Sequence, residues 1–419
     1  MSDFKNEEIK IILPTKIAVL KSALKQDIVS DREEFNIYFK NIIYPYSETY
    51  EIDVKCDYGR NLGYCWRIDE FTDIPEEFEL TIAVYAPYGK KLSQKSTRIR
   101  LFHKQYKEKV TLLCIGDSMT RSEYYVEQAV NKAKPLKTIG SRSIDLNVRH
   151  DGMGGWRCID FFTRFHDEGS GVSQFLFPKG IPGKLYYGDK LFWDKCADPQ
   201  SGYYSYRGFT KQDLTDGMYV YDDGLKLMRN KQVELISENC EFEFSLEKYL
   251  ERMGEEKPDI VSVLFGSNEL QPSTYKTVYA DVEELINTLK KLIHEIKRAG
   301  NQIKIIVNLP PCGAGQYAWG MTKGCAGTAK CYDFAVKLAC ERMIEEFDNH
   351  TSEGIYICPM VGVCDPEYGF EDAQVKANLY STATVRQLTN WVHPNITGYK
   401  QMGDALAATI AMIRSDLHA

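Results

Sequence analysis

Several features that would indicate particular functions are missing from this chain of 419 residues. It has no apolar run of about eighteen residues, which a membrane-spanning helix needs, and its polar start lacks the basic and apolar regions of a signal peptide. It also has no basic stripe, and its net charge of -7 disfavours a nucleic-acid partner. We therefore expect a protein without a membrane span, located in the cytoplasm or exported without a signal peptide.

The 12 cysteines do not form the CxxC pairs that are typical of zinc sites. They are scattered, and many lie inside apolar runs, as Cys114 does, so buried reduced thiols are expected. A bridge between Cys56 and Cys65 stays open for an exported protein. We expect no bound metal, and the sequence does not indicate an oligomeric state.

Short β-type segments separated by turns occupy the first quarter of the chain. They alternate apolar and polar residues or are rich in β-branched and aromatic ones, and the turns contain Gly59, Gly63 and Gly89. Strands of this length and spacing predict an N-terminal β-sandwich domain over residues 1–107.

Strands and helices alternate from about residue 109 onward. A short continuous apolar run, which predicts a strand buried on both faces, lies at 110–115, and further strands are predicted at 143–148, 259–265, 304–309 and 354–359. Amphipathic helices separate them, for example at 278–300 and 328–347. Repeated βα units predict an α/β domain over residues 108–419, with a parallel sheet that has helices on both faces. Ligands of such sheets bind beyond the C-terminal ends of the strands.

One segment of this domain, at about 167–243, does not follow the βα pattern. It is rich in Gly, Tyr, Asp and Lys, and we interpret it as an insertion on the substrate side. Its aromatic residues either stack on sugar rings or pack a small core of the insertion itself, and both readings stay open. The residues concerned are Trp193, Tyr203, Tyr204 and Tyr206.

Ser118 is the first candidate for chemistry. It follows the apolar run 110–115 in the sequence Gly116-Asp117-Ser118, so it lies at the ligand end of a strand and at the start of a helix. The alternative is that Asp117 and Ser118 only cap that helix. A serine hydroxyl needs a base to become a nucleophile, and His393, one of seven histidines, precedes the last helix in His393-Pro394-Asn395.

Two further segments are candidates for stabilising a developing oxyanion. Asn268 follows the strand at 259–265, and a neutral side-chain amide is a good oxyanion donor. Gly155 follows the second predicted strand, and a glycine lets its backbone N–H approach a ligand closely. For Asn268 the alternative is an ordinary turn with an Asx hydrogen bond.

Taken together, GDS, GGW, GSNE and HPN resemble, in this order, the four sequence blocks of the SGNH (GDSL-type) hydrolases. The resemblance covers roughly residues 109–419 and implies a flavodoxin-like, three-layer αβα fold and ester hydrolysis without a cofactor. It implies Ser118 as nucleophile, His393 as base, and an oxyanion hole made by Ser118, Gly155 and Asn268. We further expect the side chains of Asp117, Trp156 and Trp391 to line the substrate site.

The chain departs from the family pattern at two positions. The family has an aspartate three residues before the histidine, whereas this chain has Asn390, which supplies no negative charge to an imidazolium. Either Asn390 or a backbone carbonyl orients His393, or a carboxylate comes from the preceding segment, which offers Asp365, Glu367, Glu371 and Asp372. Glu269 replaces the aspartate that follows the oxyanion asparagine, with a small expected effect.

The substrate is expected to be a small-molecule or glycan ester, and deacetylation of an O-acetylated carbohydrate is the first hypothesis. A lipase or thioesterase acting on longer acyl chains is the second. A third hypothesis comes from a different class, namely a glycan-binding protein that has lost activity through Asn390.

Overall fold

The structure is a computed structural model. It describes residues 8–21, 34–71, 73–103, 108–144, 146–164, 173–179, 219–222, 224–229, 232–235 and 241–418. The predicted insertion at about 167–243 is therefore described only in part. Its candidate sugar-stacking residues lie outside the described part, namely Trp193, Tyr203, Tyr204 and Tyr206.

The N-terminal region consists of short strands and one helical turn. They are β1 (Lys10–Ile11), β2 (Lys16–Lys21), β3 (Phe35–Tyr38), α1 (Phe39–Ile42), β4 (Ile43–Tyr44), β5 (Glu51–Lys55), β6 (Arg60–Asn61), β7 (Cys65–Ile68), β8 (Glu77–Tyr85) and β9 (Lys91–His103). One sheet has the order β2-β9-β8-β5 and another the order β3-β7-β6. The rings of Trp66 in β7 and Phe78 in β8 approach to 6.4 Å between centroids, so the two sheets touch. That they form a separate β-sandwich domain over residues 1–107 stays a prediction.

Strands of the remaining chain include those of a parallel sheet. They are β10 (Val110–Gly116), β11 (Leu136–Ile139), β12 (Asp151–Gly152), β13 (Leu176–Pro178), β14 (Tyr219–Asp222), β15 (Gly224–Arg229), β16 (Gln232–Leu235), β17 (Phe242–Phe244), β18 (Ile260–Leu264), β19 (Lys304–Asn308), β20 (Ile355–Cys358), β21 (Asp372–Lys376) and β22 (Thr384–Leu388). The sheet has the order β11-β10-β18-β19-β20, with β12 also paired to β10, and all of these pairs are parallel. Numbered along the chain this is 2-1-3-4-5, the flavodoxin-like order.

The second sheet strand differs from the sequence prediction. Residues 143–148 are not a strand, and the strand next to β10 is β11, over Leu136–Ile139. β11 lies at the edge of the sheet and is only partly buried, so it lacks the continuous apolar run by which the other strands are recognised. Leu146 and Val148 instead belong to an irregular segment that precedes β12.

Every residue of β18, in the middle of the parallel sheet, is buried. Both faces of the sheet are therefore covered by helices. They are α2 (Ser118–Arg121), α3 (Tyr124–Lys132), α4 (Asp160–Thr163), α5 (Leu246–Met253), α6 (Ser267–Leu270), α7 (Val278–Ala299), α8 (Gln316–Lys323), α9 (Ala329–Phe347), α10 (Met360–Val363) and α11 (Ile396–His418). α11 packs on α3 and against β19 and β20, whereas α7 packs on α9. Within the described residues, no helix combines the length and the apolar character that a membrane crossing requires.

The N-terminal sheets pack directly on the α/β region. β2 and β9 lie against α11, and β3 lies against α10. The side chain of Asn41, in α1, donates to the backbone carbonyls of Val361 (3.0 Å) and Cys364 (2.7 Å). Cys56 and Cys65 are free thiols, so the bridge between them that the sequence left open is not formed.

The order of the strands places the ends of β10 and β18 at a switch point. β11 lies on one side of β10 and β18 on the other, so the chain leaves these two neighbouring strands in opposite directions. A crevice at their C-terminal ends is the usual binding site of such sheets. Ser118 follows β10 and Asn268 follows β18, so both lie beside this crevice.

Candidate active site

Ser118 is held at the end of β10 by a tight strand-to-helix turn. Gly116 ends the strand, and a Cβ atom at this position would collide with the side chain of Thr120 and approach the Leu264 carbonyl oxygen to 2.7 Å. Asp117 then caps α2, because its Oδ1 accepts the Met119 N–H at 2.9 Å. The sequence therefore fixes Ser118 as the first residue of a helix, with its side chain partly exposed.

His393 lies in a turn that precedes α11. The side chain of Asn395 fastens this turn, because its Nδ2 donates to the carbonyls of Tyr368 and Phe370, each at 3.0 Å. Nε2 of His393 lies 2.8 Å from Oγ of Ser118, which is hydrogen-bonding distance. Burial lowers the pKa of His393 below its ordinary value of 6.5, so the imidazole is neutral at neutral pH.

Asn390 does not contact the imidazole ring of His393. Its Oδ1 accepts the backbone N–H groups of Val392 (3.3 Å) and His393 (3.1 Å), which makes it the cap of the turn. Among the described residues, no hydrogen bond or ion pair joins His393 to any of the four carboxylates considered from the sequence. They are Asp365, Glu367, Glu371 and Asp372. Asp365 is engaged with Tyr38 and Asp372 with Arg386.

The loop that carries Gly155 is bound to both neighbouring segments of the site. The Met153 N–H donates to the Gly116 carbonyl at 2.8 Å, which joins this loop to the end of β10. Nδ2 of Asn268 donates to the Trp156 carbonyl at 2.8 Å, which joins it to α6. With the contact between His393 and Ser118, three direct hydrogen bonds thus bring the four predicted sequence blocks together.

Two backbone N–H groups are available at this junction. Gly155 is exposed within an otherwise buried stretch and has a φ of 75°, a conformation that favours glycine. The N–H of Ser118 is in the first turn of α2, where no partner exists within the helix. In the described part of the chain, neither N–H donates to a protein acceptor. Asn268 uses one of its two amide protons on Trp156 and keeps the other.

Glu269 contributes more than the sequence indicates. Its Oε1 accepts the Cys158 N–H at 2.6 Å and its Oε2 accepts the Gly266 N–H at 3.0 Å. It therefore ties the loop that carries Gly155 to the end of β18. Burial raises the pKa of Glu269 to about 7, although the three N–H groups around it favour the ionised form.

Three residues expected to line the substrate site are buried instead. Asp117 and Trp156 have no exposed surface, and Trp391 is 6% exposed. Trp156 packs on Phe161 at 5.1 Å, and Trp391 packs between Trp319 and Tyr332 at 4.8 and 5.2 Å between ring centroids. A ligand cannot stack on these rings, and the predicted contacts are wrong for this reason. Burial also raises the pKa of Asp117 to about 7.

The sequence alone does not identify a buried pair, Glu123 and His150, that holds the strand before Gly155. Glu123, which has a φ of 68°, accepts the Leu146 N–H at 2.6 Å and lies 3.2 Å from Nε2 of His150. Nδ1 of His150 accepts the Gly152 N–H at 2.9 Å, so the ring proton is on Nε2 and points at the carboxylate. The pair anchors β12, which leads to Gly155. Neither residue belongs to a recognisable motif.

A family model and several solved structures are similar to this chain. A family model described as GDSL-like Lipase/Acylhydrolase matches residues 112–406. Similar solved structures include a family 3 carbohydrate esterase from Clostridium thermocellum, at 11% identity over 74% of this chain and 98% of that chain, with a TM-score of 0.35. A carbohydrate acetylesterase family member from Sinorhizobium meliloti matches at 12% identity over 73% and 99%, with a TM-score of 0.36. These two likenesses are too distant to bear on function. No curated protein matches the chain.

Proposed function

Since the chain belongs to the GDSL-like lipase/acylhydrolase family and is a carboxylic ester hydrolase, we propose that it removes acetyl or other short acyl groups from an O-acetylated carbohydrate. In this proposal Ser118 is the nucleophile and His393 its base. The observation that carries it is the 2.8 Å separation between Nε2 of His393 and Oγ of Ser118. This is the distance at which an imidazole can take the hydroxyl proton.

The reaction begins with attack of the Ser118 hydroxyl on the ester carbonyl carbon. His393, neutral because burial lowers its pKa, takes the proton on Nε2 as the new C–O bond forms. The resulting imidazolium then gives this proton to the leaving alcohol oxygen. A water molecule, deprotonated by the same imidazole, attacks the acyl-enzyme and releases the acid and the free serine.

The negative oxygen of each tetrahedral intermediate requires hydrogen-bond donors. The N–H groups of Ser118 and Gly155 and the second amide proton of Asn268 fill this role in the proposal. Two features support it, namely that both N–H groups lack a protein acceptor in the described residues and that the Trp156 carbonyl holds the amide of Asn268. Donors fixed in advance need no reorganisation when the charge develops, which makes them effective.

His393 works without a carboxylate behind it in this proposal. Among the described residues no group accepts a hydrogen bond from its Nδ1, and Asn390 holds the backbone of the turn. The imidazolium therefore gains no stabilisation from a neighbouring negative charge. We expect a base that is correctly placed but weak, and a pH profile in which activity is lost as the pH falls through a value below 6.5.

Burial around Ser118 supports a short acyl group. An acyl tunnel would expose the side chains of its wall to solvent, yet Met119, Leu270 and Trp156 have no exposed surface and Trp391 has 6%. Among the described residues, these buried side chains therefore offer no exposed wall along which a long hydrocarbon chain could lie. This observation favours acetyl or a similarly small group over the long chains of a lipase or thioesterase substrate.

The test compares esters that differ only in acyl length. We expect the wild-type protein to hydrolyse p-nitrophenyl acetate at least ten times faster than p-nitrophenyl octanoate. Each added methylene group of the longer acyl chain would stay in water, because the described residues beside Ser118 offer it no apolar surface. Ser118→Ala should abolish hydrolysis of both esters. Ser122→Ala is the matched control, because its hydroxyl lies at the end of the same helix and donates to the Met119 carbonyl rather than to His393. Full activity in Ser118→Ala would refute the proposed nucleophile, and faster octanoate hydrolysis would refute the short acyl group.

A further inference from the structure

A cavity of about 250 Å³ lies beside the turn that holds His393. Its wall comes from three parts of the chain: α1 with Lys40, α9 with Asp333 and Lys337, and the end of β22 with Leu388. The segment that starts at Gly313 closes it and is bound to the turn, since the N–H of Ala314 donates to the Trp391 carbonyl at 2.8 Å. The N-terminal region and the hydrolase region thus build this cavity together.

The cavity contains a carboxylate with unused hydrogen-bonding capacity. Asp333 accepts one hydrogen bond from a described residue, the long one from the Gly313 N–H at 3.3 Å. Burial raises the pKa of Asp333 to about 6, so the group is mostly ionised at neutral pH. An ionised carboxylate accepts about four hydrogen bonds, so Asp333 can accept several more from a ligand.

A donor lies one helical turn away from this acceptor. Nζ of Lys337 donates to the carbonyls of Lys40 (2.7 Å) and Ile43 (3.3 Å) and keeps one proton. The charged side chains of the cavity wall balance one another. Arg386 is neutralised by Asp372 at 2.8 Å. The remaining charged residues of the wall are two lysines and two carboxylates, namely Lys40, Lys337, Asp333 and Glu367. A wall without net charge fits a neutral ligand rather than an anion.

The same cavity also has apolar faces. Tyr317 is 37% exposed and lines it together with Pro366 and Leu388. A tyrosine ring packs on an apolar face while its hydroxyl stays in contact with water. The volume lies just below the range of pockets for drug-sized ligands, so it suits one small ring.

We propose that this cavity is a non-catalytic subsite for one neutral sugar ring of the substrate. Asp333 accepts hydrogen bonds from the sugar hydroxyls, Lys337 donates to a ring or hydroxyl oxygen, and Tyr317 packs on the C–H face. The subsite rests on the proposed function for its role in catalysis, since it would hold a neighbouring ring of the glycan whose ester reaches Ser118. Its affinity for sugar does not depend on turnover.

Sugar binding is tested with the Ser118→Ala protein on an array of neutral and acidic oligosaccharides, followed by calorimetry with the tightest neutral binder. We expect binding of neutral glycans, and a loss of about tenfold in affinity when Asp333→Asn or Tyr317→Ala is added. Tyr88→Ala, which removes a fully exposed ring away from the cavity, is the control and should bind like Ser118→Ala alone. Binding of no glycan, of acidic glycans only, or with unchanged affinity in both cavity variants would overturn the subsite.

Hydrolysis of p-nitrophenyl acetate separates this proposal from the proposed function. This ester has no sugar ring, so Asp333→Asn and Tyr317→Ala alone should hydrolyse it within about twofold of the wild-type rate. If Asp333→Asn loses this activity as well, the substitution has damaged the fold. The glycan affinity of the Tyr317→Ala variant then decides the proposal. If Ser118→Ala retains the activity, the proposed nucleophile fails while the glycan result still stands.

Discussion

The two halves of the site hold their backbone by different chemistry. On the oxyanion side, buried carboxylates accept backbone N–H groups: Asp117 from Met119, and Glu269 from Cys158 and Gly266. On the base side, neutral amides do so, since Asn390 caps the turn of His393 and Asn395 fastens it. The difference shows that a backbone can be positioned without charge, whereas stabilising an imidazolium requires it. Among the residues that the structure describes, no carboxylate on the base side contacts His393.

The largest expected effect is on the base side. His393→Ala should lower kcat/KM for p-nitrophenyl acetate by roughly three powers of ten or more, because no other base among the described residues lies within hydrogen-bonding distance of the Ser118 hydroxyl. His350→Ala is the matched control, since the partly exposed ring of this histidine pairs with Glu353. Comparable losses in the two variants would show that the effect is not specific to His393.

The next effect is on the oxyanion side. Asn268→Ala should lower kcat by about two to three powers of ten with little change in KM, because the amide acts on the transition state. Asn268→Asp should be at least as slow, since its negative charge repels the oxyanion. An aspartate variant faster than the alanine variant would contradict the role of Asn268 as a donor.

Glu269 should have a smaller effect on the same side. Glu269→Ala removes both hydrogen bonds that join the Gly155 loop to the end of β18, and we expect kcat to fall by about tenfold. Glu269→Gln keeps one acceptor and should retain more activity. In both variants, the rate at which a fluorophosphonate labels Ser118 should fall less than kcat for the ester. A loss confined to KM would mean that Glu269 does not position the oxyanion donors.

The smallest effect is expected where charge is added to the base side. Asn390→Asp keeps the oxygen that caps the turn, so kcat should stay within about threefold of wild type. The new carboxylate near His393 should raise the pKa of the imidazole, and the acid limb of the pH profile should move to higher pH. A tenfold gain in kcat would show instead that position 390 reaches the imidazole during catalysis.

Much of the sheet and the contact between Ser118 and His393 could be predicted from the sequence. β10, β18 and β19 are continuous apolar runs because both sheet faces are covered, and the residues that follow them lie at one edge. β11 was missed because an edge strand needs few apolar residues. The burial of Trp156 and Trp391 could not be predicted, since aromatic residues beside a site look the same whether they pack inward or face a ligand.

Other parts of the site depend on contacts between distant segments. The double role of Glu269 and the pair of Glu123 and His150 join residues from separate loops, and local sequence does not specify such pairs. The sequence shows that Asn390 departs from the family pattern. It does not show that the side chain caps the backbone of the turn instead of contacting the imidazole ring of His393, because this depends on its position in the turn.

The central claim is that His393 activates Ser118. Its most direct test is the site and rate of fluorophosphonate labelling, followed by mass spectrometry of the digested protein. The account predicts one adduct, on the peptide that contains Ser118, which forms at least a hundred times more slowly in His393→Ala. An adduct on another residue, or labelling of Ser118 at an unchanged rate without His393, would contradict it.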